Sequence, residues 1–262
     1  MKRQIQRWLA LCLAMLFLFS SVRAEGVRIL FIGDSITDGN WGGGGAKPSH
    51  KRALWDMNHI FGHGFMSLCA SHYMSRYPER DYQFFNRGIS GHGLYDLEKR
   101  WQTDVLDLQP DVLSILIGTN DVHHYLHGDK SEAFDLHAWE QTYRRLLDEA
   151  RAQNPNLQFV LAAPFIEKVG KIGEQGDYPE RARLIAQLDT LVESIARDYH
   201  AIYLPYQELF AQLLQNTSTQ PASYWIWDGI HPTAAAHQRM ADLWIKAVDP
   251  YLTRLAGTPA QQ

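Results

Sequence analysis

Cysteine is nearly absent: the 262 residues include only Cys12 and Cys69. Cys12 lies in a segment, 1–24, where Lys2, Arg3 and Arg7 precede an apolar run from Trp8 to Phe19 and then Ser20-Ser21-Val22-Arg23-Ala24. A basic, then apolar, then small-residue order is that of a secretory signal peptide, and it predicts cleavage near Ala24. Residues 25–262 would then form the mature domain, secreted or periplasmic, with one thiol and therefore no internal disulfide. Met66, Leu68 and Ala70 around Cys69 predict a buried, inert thiol. Long hydrophobic runs are also missing. The twelve residues from Trp8 to Phe19 fall short of the roughly 20 needed to span a bilayer, which argues against stable membrane insertion once the signal is removed.

Basic charge is scarce as well. Cleavage would take four of the 25 Lys and Arg residues and none of the 29 Asp and Glu residues, leaving a net charge of −8. A nucleic-acid or anionic-membrane binder needs a basic patch, so those partners are excluded. No repeat and no Pro-, Gly- or Ser-rich linker divides the chain, and a 45% apolar composition suffices for one sizeable core.

What is present is an alternation of short apolar strands with longer periodic helices, the pattern of an α/β domain with a parallel sheet covered on both faces. Strands are expected at Val27–Ile32, Tyr82–Asn86, Val112–Ile117, Gln158–Ala162 and Ala201–Leu204. Helices are expected at Phe61–Tyr77, Leu94–Leu108, Asp135–Gln153, Pro179–His200, Tyr206–Leu214 and Thr233–Leu252. Between them, the glycine-rich segment from Gly39 to His59 is too irregular for an element, and Glu167–Tyr178 reads as a mobile surface loop.

The first strand stops at Gly33-Asp34-Ser35, placing a hydroxyl at the carboxyl end of a strand, where open α/β sheets bind their ligands. By itself Ser35 reads equally as a nucleophile or a turn hydroxyl. Three further stretches bear on it: Asn86 to Gly93 after the second strand, Gly118-Thr119-Asn120-Asp121 after the third, and Asp228-Gly229-Ile230-His231-Pro232 before the last helix. In a parallel sheet the first three emerge on one edge. Acyl transfer requires a hydroxyl, a base, a group to orient that base, and donors for the oxyanion. His231 suits the base and Asp228, three residues earlier, the orienter. The backbone amides of Ser35 and Gly91 and the side-chain amide of Asn120 suit the oxyanion.

These four blocks resemble those of the SGNH hydrolases, the GDSL-type esterases, over nearly the whole mature chain. The resemblance implies Ser35 as nucleophile, His231 as base, Asp228 as orienting acid, and Gly91 with Asn120 in the oxyanion hole. It implies a three-layer α/β/α architecture with a five-stranded, mainly parallel, flavodoxin-like sheet, and no cofactor. One departure is that Gly-Asp-Ser is followed by Ile36 and Thr37 where the family's name has leucine.

Rival motifs are incomplete. A phosphate loop at Gly42–Ser49 would need glycine at Ala46 and a hydroxyl residue at Pro48. A Gly-x-Ser-x-Gly elbow is broken by Thr37 after Ser35 and by His92 after Ser90, the competing serine. His59 with His63 and His123 with His127 have ligand spacing but no third ligand to complete a catalytic metal site. Trp41, Trp55, Trp225 and Trp227 flank the candidate loops and suit sugar stacking or core packing alike. The sequence around Gly88-Ile89-Ser90-Gly91, Leu97–Trp101, Ile117–Val122 and the His-Pro block is similar to bacterial GDSL acetylesterases acting on xylan-type oligosaccharides. The expected substrate is therefore an acetylated oligosaccharide or another small ester. The alternatives are a lysophospholipase or thioesterase of the same fold, or a non-catalytic carbohydrate-binding protein.

Overall fold

The computed structural model describes residues 26–44, 47–128, 133–215 and 220–257. The expected signal peptide, 1–24, lies outside the described residues. Strands β1 (Val27–Gly33), β2 (Tyr82–Gly88), β3 (Val112–Leu116), β4 (Gln158–Ala162) and β5 (Ile202–Leu204) form one sheet in the order β2-β1-β3-β4-β5, and every neighbouring pair is parallel. In chain order the helices are α1 (Ser35–Asp38), α2 (Phe65–Arg76), α3 (Leu94–Lys99), α4 (Thr119–His127), α5 (Leu136–Gln153), α6 (Gly170–Gly173), α7 (Tyr178–Asp198), α8 (Tyr206–Gln215) and α9 (Ala234–Gly257).

Strand period decides which layer each residue joins. Leu30 and Ile32 of β1 pack with Leu113 and Ile115 of β3 under α3, α4, α5 and α7, while Ile29 and Phe31 pack on the opposite face under α2, α8 and α9. Both faces are thus apolar, and the central strand β3 is buried throughout. Serine in the middle of β3 is accommodated because Trp244 of α9 donates its indole N–H to Ser114 Oγ at 3.1 Å, and its ring lies 4.9 Å from that of Phe31. Cys69 is a buried free thiol, as the sequence implied, and burial pushes its pKa up.

Several elements differ from the sequence-based expectation. Helix α2 begins at Phe65, where His237 Nδ1 accepts the Phe65 N–H at 3.1 Å. The periodic stretch from Leu94 to Leu108 divides into α3 and a π-helical turn at Gln102–Leu106. The break lies at Arg100, whose guanidinium turns inward to Gly33 O, Arg87 O and Asp104 and leaves the helical path. Glu167–Tyr178 contains α6, and Ile172 within it is buried. The segment from Gly39 to His59 holds two short 3₁₀ turns, Trp41–Gly43 and Ser49–Lys51. Trp41 is fully buried with its indole N–H on Gly88 O at 2.8 Å, so it packs the fold and presents no face to a sugar.

The carboxyl ends of β1, β2 and β3 open on one edge, at the strand-order reversal where doubly wound sheets bind ligands.

Candidate active site

β1 delivers Ser35 to that edge through a tight turn. Gly33 is obligatory there, since a Cβ would stand 2.3 Å from the Leu116 carbonyl oxygen of the adjacent strand. Asp34 caps α1, its Oδ1 accepting the Ile36 N–H at 2.9 Å. Burial raises the Asp34 carboxyl to about 6, against the opposing pull of the Ile36 hydrogen bond and the His231 charge.

The chain supplies His231 from 196 residues away, with its Nε2 2.8 Å from Ser35 Oγ. On the other side of the ring, Nδ1 is 2.7 Å from Asp228 Oδ2. The second oxygen, Asp228 Oδ1, accepts the backbone N–H groups of Ile230 and His231 at 2.9 and 2.7 Å. An ionised carboxylate accepts only, so Nδ1 carries the proton and a neutral ring turns its Nε2 lone pair towards the Ser35 hydroxyl. Hydrogen bonding to Asp228 raises the His231 pKa above its ordinary value, partly offset by burial. For Asp228, burial works upward, but the hydrogen bonds from His231 and Ile230 prevail and hold it below the usual carboxylate range.

The loop bearing this pair is braced. Ile226 bridges Pro232, Thr233 N–H donates to Trp225 O, and Asp228 and Gly229 present their carbonyls to Ile172 N and Glu167 N at 3.0 and 2.9 Å. Sequence reasoning missed Glu167 in this role; its half-buried carboxyl, pushed up to about 7 by burial, accepts from Gln207. It also missed α4, because Gly118-Thr119-Asn120 looks like a loop yet opens a helix. His237, fixed neutral by burial with its pKa down at about 4, had no sequence signal either.

On the donor side, Gly91 has φ +83° and open space where a Cβ would project. Among the described residues, neither its backbone N–H nor that of Ser35 meets a protein acceptor. Asn120, at the start of α4, donates one amide hydrogen to His92 O at 3.1 Å, which fixes its plane and leaves the second hydrogen. Ser90 is committed elsewhere, its Oγ donating to Asp38 Oδ2 at 2.8 Å. His59 and His63 lie edge to face at 5.6 Å, His123 and His127 lie tilted at 4.3 Å, and among the described residues no three His, Cys, Asp or Glu side chains form a metal-holding group. No helix among the described residues is long and apolar enough to cross a membrane.

A hydroxyl, an imidazole and a carboxylate in this relay can generate an alkoxide-like nucleophile, with uncommitted N–H donors nearby for the charge that develops. The profile of the GDSL-like lipase/acylhydrolase family matches residues 31–239. The chain belongs to this family. An acetylxylan esterase of Geobacillus stearothermophilus is 31% identical over 226 residues, 86% of this chain and 94% of that protein. A multidomain esterase of Ruminococcus flavefaciens is 27% identical over 153 residues, 58% of this chain and 17% of that larger protein. Among solved structures, a putative GDSL-like lipase from Parabacteroides merdae superposes with a TM-score of 0.72 at 32% identity, covering 85% of this chain and 95% of that one. The Geobacillus acetylxylan esterase does so at 0.68 and 28%, covering 86% and 95%. Solved forms of the latter include catalytic mutants at a serine, an aspartate and a histidine. As a GDSL-like acylhydrolase with this three-layer sheet, the protein is a carboxylic ester hydrolase.

Proposed function

We propose that the protein is a secreted acetylesterase that removes acetyl groups from O-acetylated carbohydrate, with Ser35 as nucleophile, His231 as general base and Asp228 as the acid that orients it. The observation that carries this reading is the unbroken relay from Ser35 Oγ through His231 to Asp228, at 2.8 and 2.7 Å. The acetylxylan esterase activity of the Geobacillus relative, matched along nearly its full length, supports the choice of acyl group and sugar class. The signal-like order of residues 1–24 supports export.

In the first half-reaction, Ser35 Oγ attacks the acetyl carbonyl while its proton passes to His231 Nε2, and the oxyanion is met by the N–H groups of Ser35, Gly91 and Asn120. Collapse breaks the ester bond, and the imidazolium returns the proton to the leaving sugar oxygen. Water then attacks the acetyl-Ser35 ester, giving up a proton to His231, and acetate departs as Ser35 regains its hydrogen. Asp228 stays ionised throughout and stabilises the imidazolium. The deciding experiment measures acetate released from acetylated xylan, mannan, pectin and peptidoglycan fragments, beside nitrophenyl esters of increasing chain length. Release from one of the acetylated glycans and a fall in rate with acyl length are expected; preference for long chains would overturn the acetyl assignment.

A further inference from the structure

A cavity of about 400 Å³ opens beside the catalytic edge, between the 3₁₀ turn at Ser49–Lys51, the end of β2, and α3 with the π-helical turn that follows it. Its wall and the candidate oxyanion segment are one stretch of chain. Ile89, in the wall, donates its N–H to Gly33 O at 3.0 Å, and Arg100 reaches the same oxygen at 3.2 Å, two residues before Ser35. His92 lines the cavity while its carbonyl holds the Asn120 amide. The cavity thus borders the segment that would hold an ester at Ser35.

The charge in this cavity is of unexpected sign for an acidic chain. Lys99 is neutralised by Asp96 at 3.0 Å and Arg100 by Asp104 at 2.8 Å. Arg87 makes the cavity net positive by one: its Nε lies 3.7 Å from Asp104 Oδ1, and the other oxygen of that same carboxylate accepts from Arg100 and from the Ser49 hydroxyl, each at 2.8 Å, so two guanidinium groups share one carboxylate. Its Nη1 donates to Asn86 O, and its flat face lies 5.1 Å from the Trp41 ring centroid, so the guanidinium is held rigid. With 12% of its side chain exposed, it is largely desolvated. Burial, compounded by the charges of Arg100 and Arg52, makes carrying that proton costly and lowers its pKa despite Asp104. One surplus, desolvated, planar cation calls for a planar monoanion, and a carboxylate matches its fork in geometry and charge.

We infer that this cavity is a carboxylate subsite that holds the acid group of a uronic acid or other carboxylate-bearing sugar while an O-acetyl ester on the same oligosaccharide lies at Ser35. The inference rests on the esterase reading for the second half of that statement and on the cavity alone for the first. A neutral xylo-oligosaccharide would leave Arg87 and Arg100 to share the single Asp104 carboxylate, so the preferred substrates are acidic acetylated glycans.

The test compares acetate release from four acetylated oligosaccharides: one bearing a glucuronic acid, one bearing muramic acid, and each of these with its carboxyl reduced to an alcohol. The acidic glycan is expected to show a kcat/KM about tenfold above its carboxyl-reduced form, the effect of roughly one charge-assisted hydrogen bond. Which acid gives the larger factor distinguishes a plant-wall from a bacterial-wall carboxylate. Arg87→Gln should abolish the preference and Arg87→Lys restore part of it. Should Arg87→Gln fail to fold, Lys99→Gln at the exposed rim should reduce the factor. Equal kcat/KM for the acid and its reduced form in the wild-type enzyme overturns the inference. Calorimetric titration of the wild-type protein with the deacetylated glucuronic acid oligosaccharide reads the cavity independently of turnover. Binding without any acetate release would refute the esterase reading and leave the subsite standing, whereas turnover with no discrimination between acid and alcohol would do the reverse.

Discussion

His231 and Asp228 meet twice: the imidazole Nδ1 lies 2.7 Å from one carboxylate oxygen and the His231 backbone N–H lies 2.7 Å from the other. Because one acid holds both the ring and the chain that bears it, the base has little freedom to rotate away from Ser35. In its proposed role as base His231 works only when neutral, and its pKa lies above the ordinary 6.5. The acid limb of kcat/KM should therefore have an apparent pKa above 6.5, with activity rising through neutrality. Asp228→Asn should cost about 10⁴-fold in kcat, because an amide can donate to Nδ1 and favour the wrong tautomer. A pH–rate profile of both proteins checks this; an acid limb at or below 6.5 in the wild type would contradict it.

Stability should move the other way. A folded-state pKa raised above the unfolded value contributes stability that is complete below about 6.5 and lost as pH rises through the folded value. Asp228, held below 3.8, contributes stability present above that value and lost as pH falls through its folded pKa. The pair thus stabilises most between about pH 4 and 6.5, and His231→Gln should flatten the fall in thermal midpoint on going from pH 6 to pH 8.

Ser35→Ala removes the proposed nucleophile from the relay. Acetate release should fall by at least about 10³-fold with circular dichroism and melting unchanged. Full activity in a folded Ser35→Ala protein would refute the assignment.

The proposed oxyanion donors differ in what their loss should do. Asn120→Ala deletes a side-chain donor and is expected to lower kcat by about 10² to 10³ with KM nearly unchanged. Gly91→Ala finds room for its methyl but must hold φ at +83°, so about 1–2 kcal/mol of backbone strain should appear as lost stability or a displaced N–H. Comparing kcat with unfolding free energy separates the two.

Asp38 and Arg52 form a fully buried pair, with Nη1 2.5 Å from Oδ1, and Asp38 also accepts from the Ser90 N–H and hydroxyl. Asp38→Ala leaves a buried guanidinium uncompensated and should destabilise the fold by about 3–5 kcal/mol, a loss readable by urea titration.

The strands were readable because each is a short apolar run ended by turn residues, and the Ser35, Asp228 and His231 positions because their blocks keep a fixed order along the chain. Other features carried no local signal. The divided helix after Leu94 keeps its apolar spacing through Leu97, Trp101 and Val105 while Arg100 is pulled inward by Gly33 and Arg87, partners remote in sequence. Trp41 looked available to a ligand because nothing near it announced that Arg52 and Arg87 would lie on its faces at 4.4 and 5.1 Å. Trp227 is the opposite case, 61% exposed and stacked 6.2 Å from His231. Neighbours distant in the chain, invisible to periodicity, decide between such outcomes.

The separation of 196 positions between Ser35 and His231 also sets when activity can begin. A chain still being synthesised presents its serine early, but the histidine and its aspartate arrive only with the last stretch before α9. Closing so long a loop carries an entropic cost that local contacts do not. Under the proposed roles an unfinished chain lacks its base, and ester cleavage becomes a report that synthesis and folding have both run to the end.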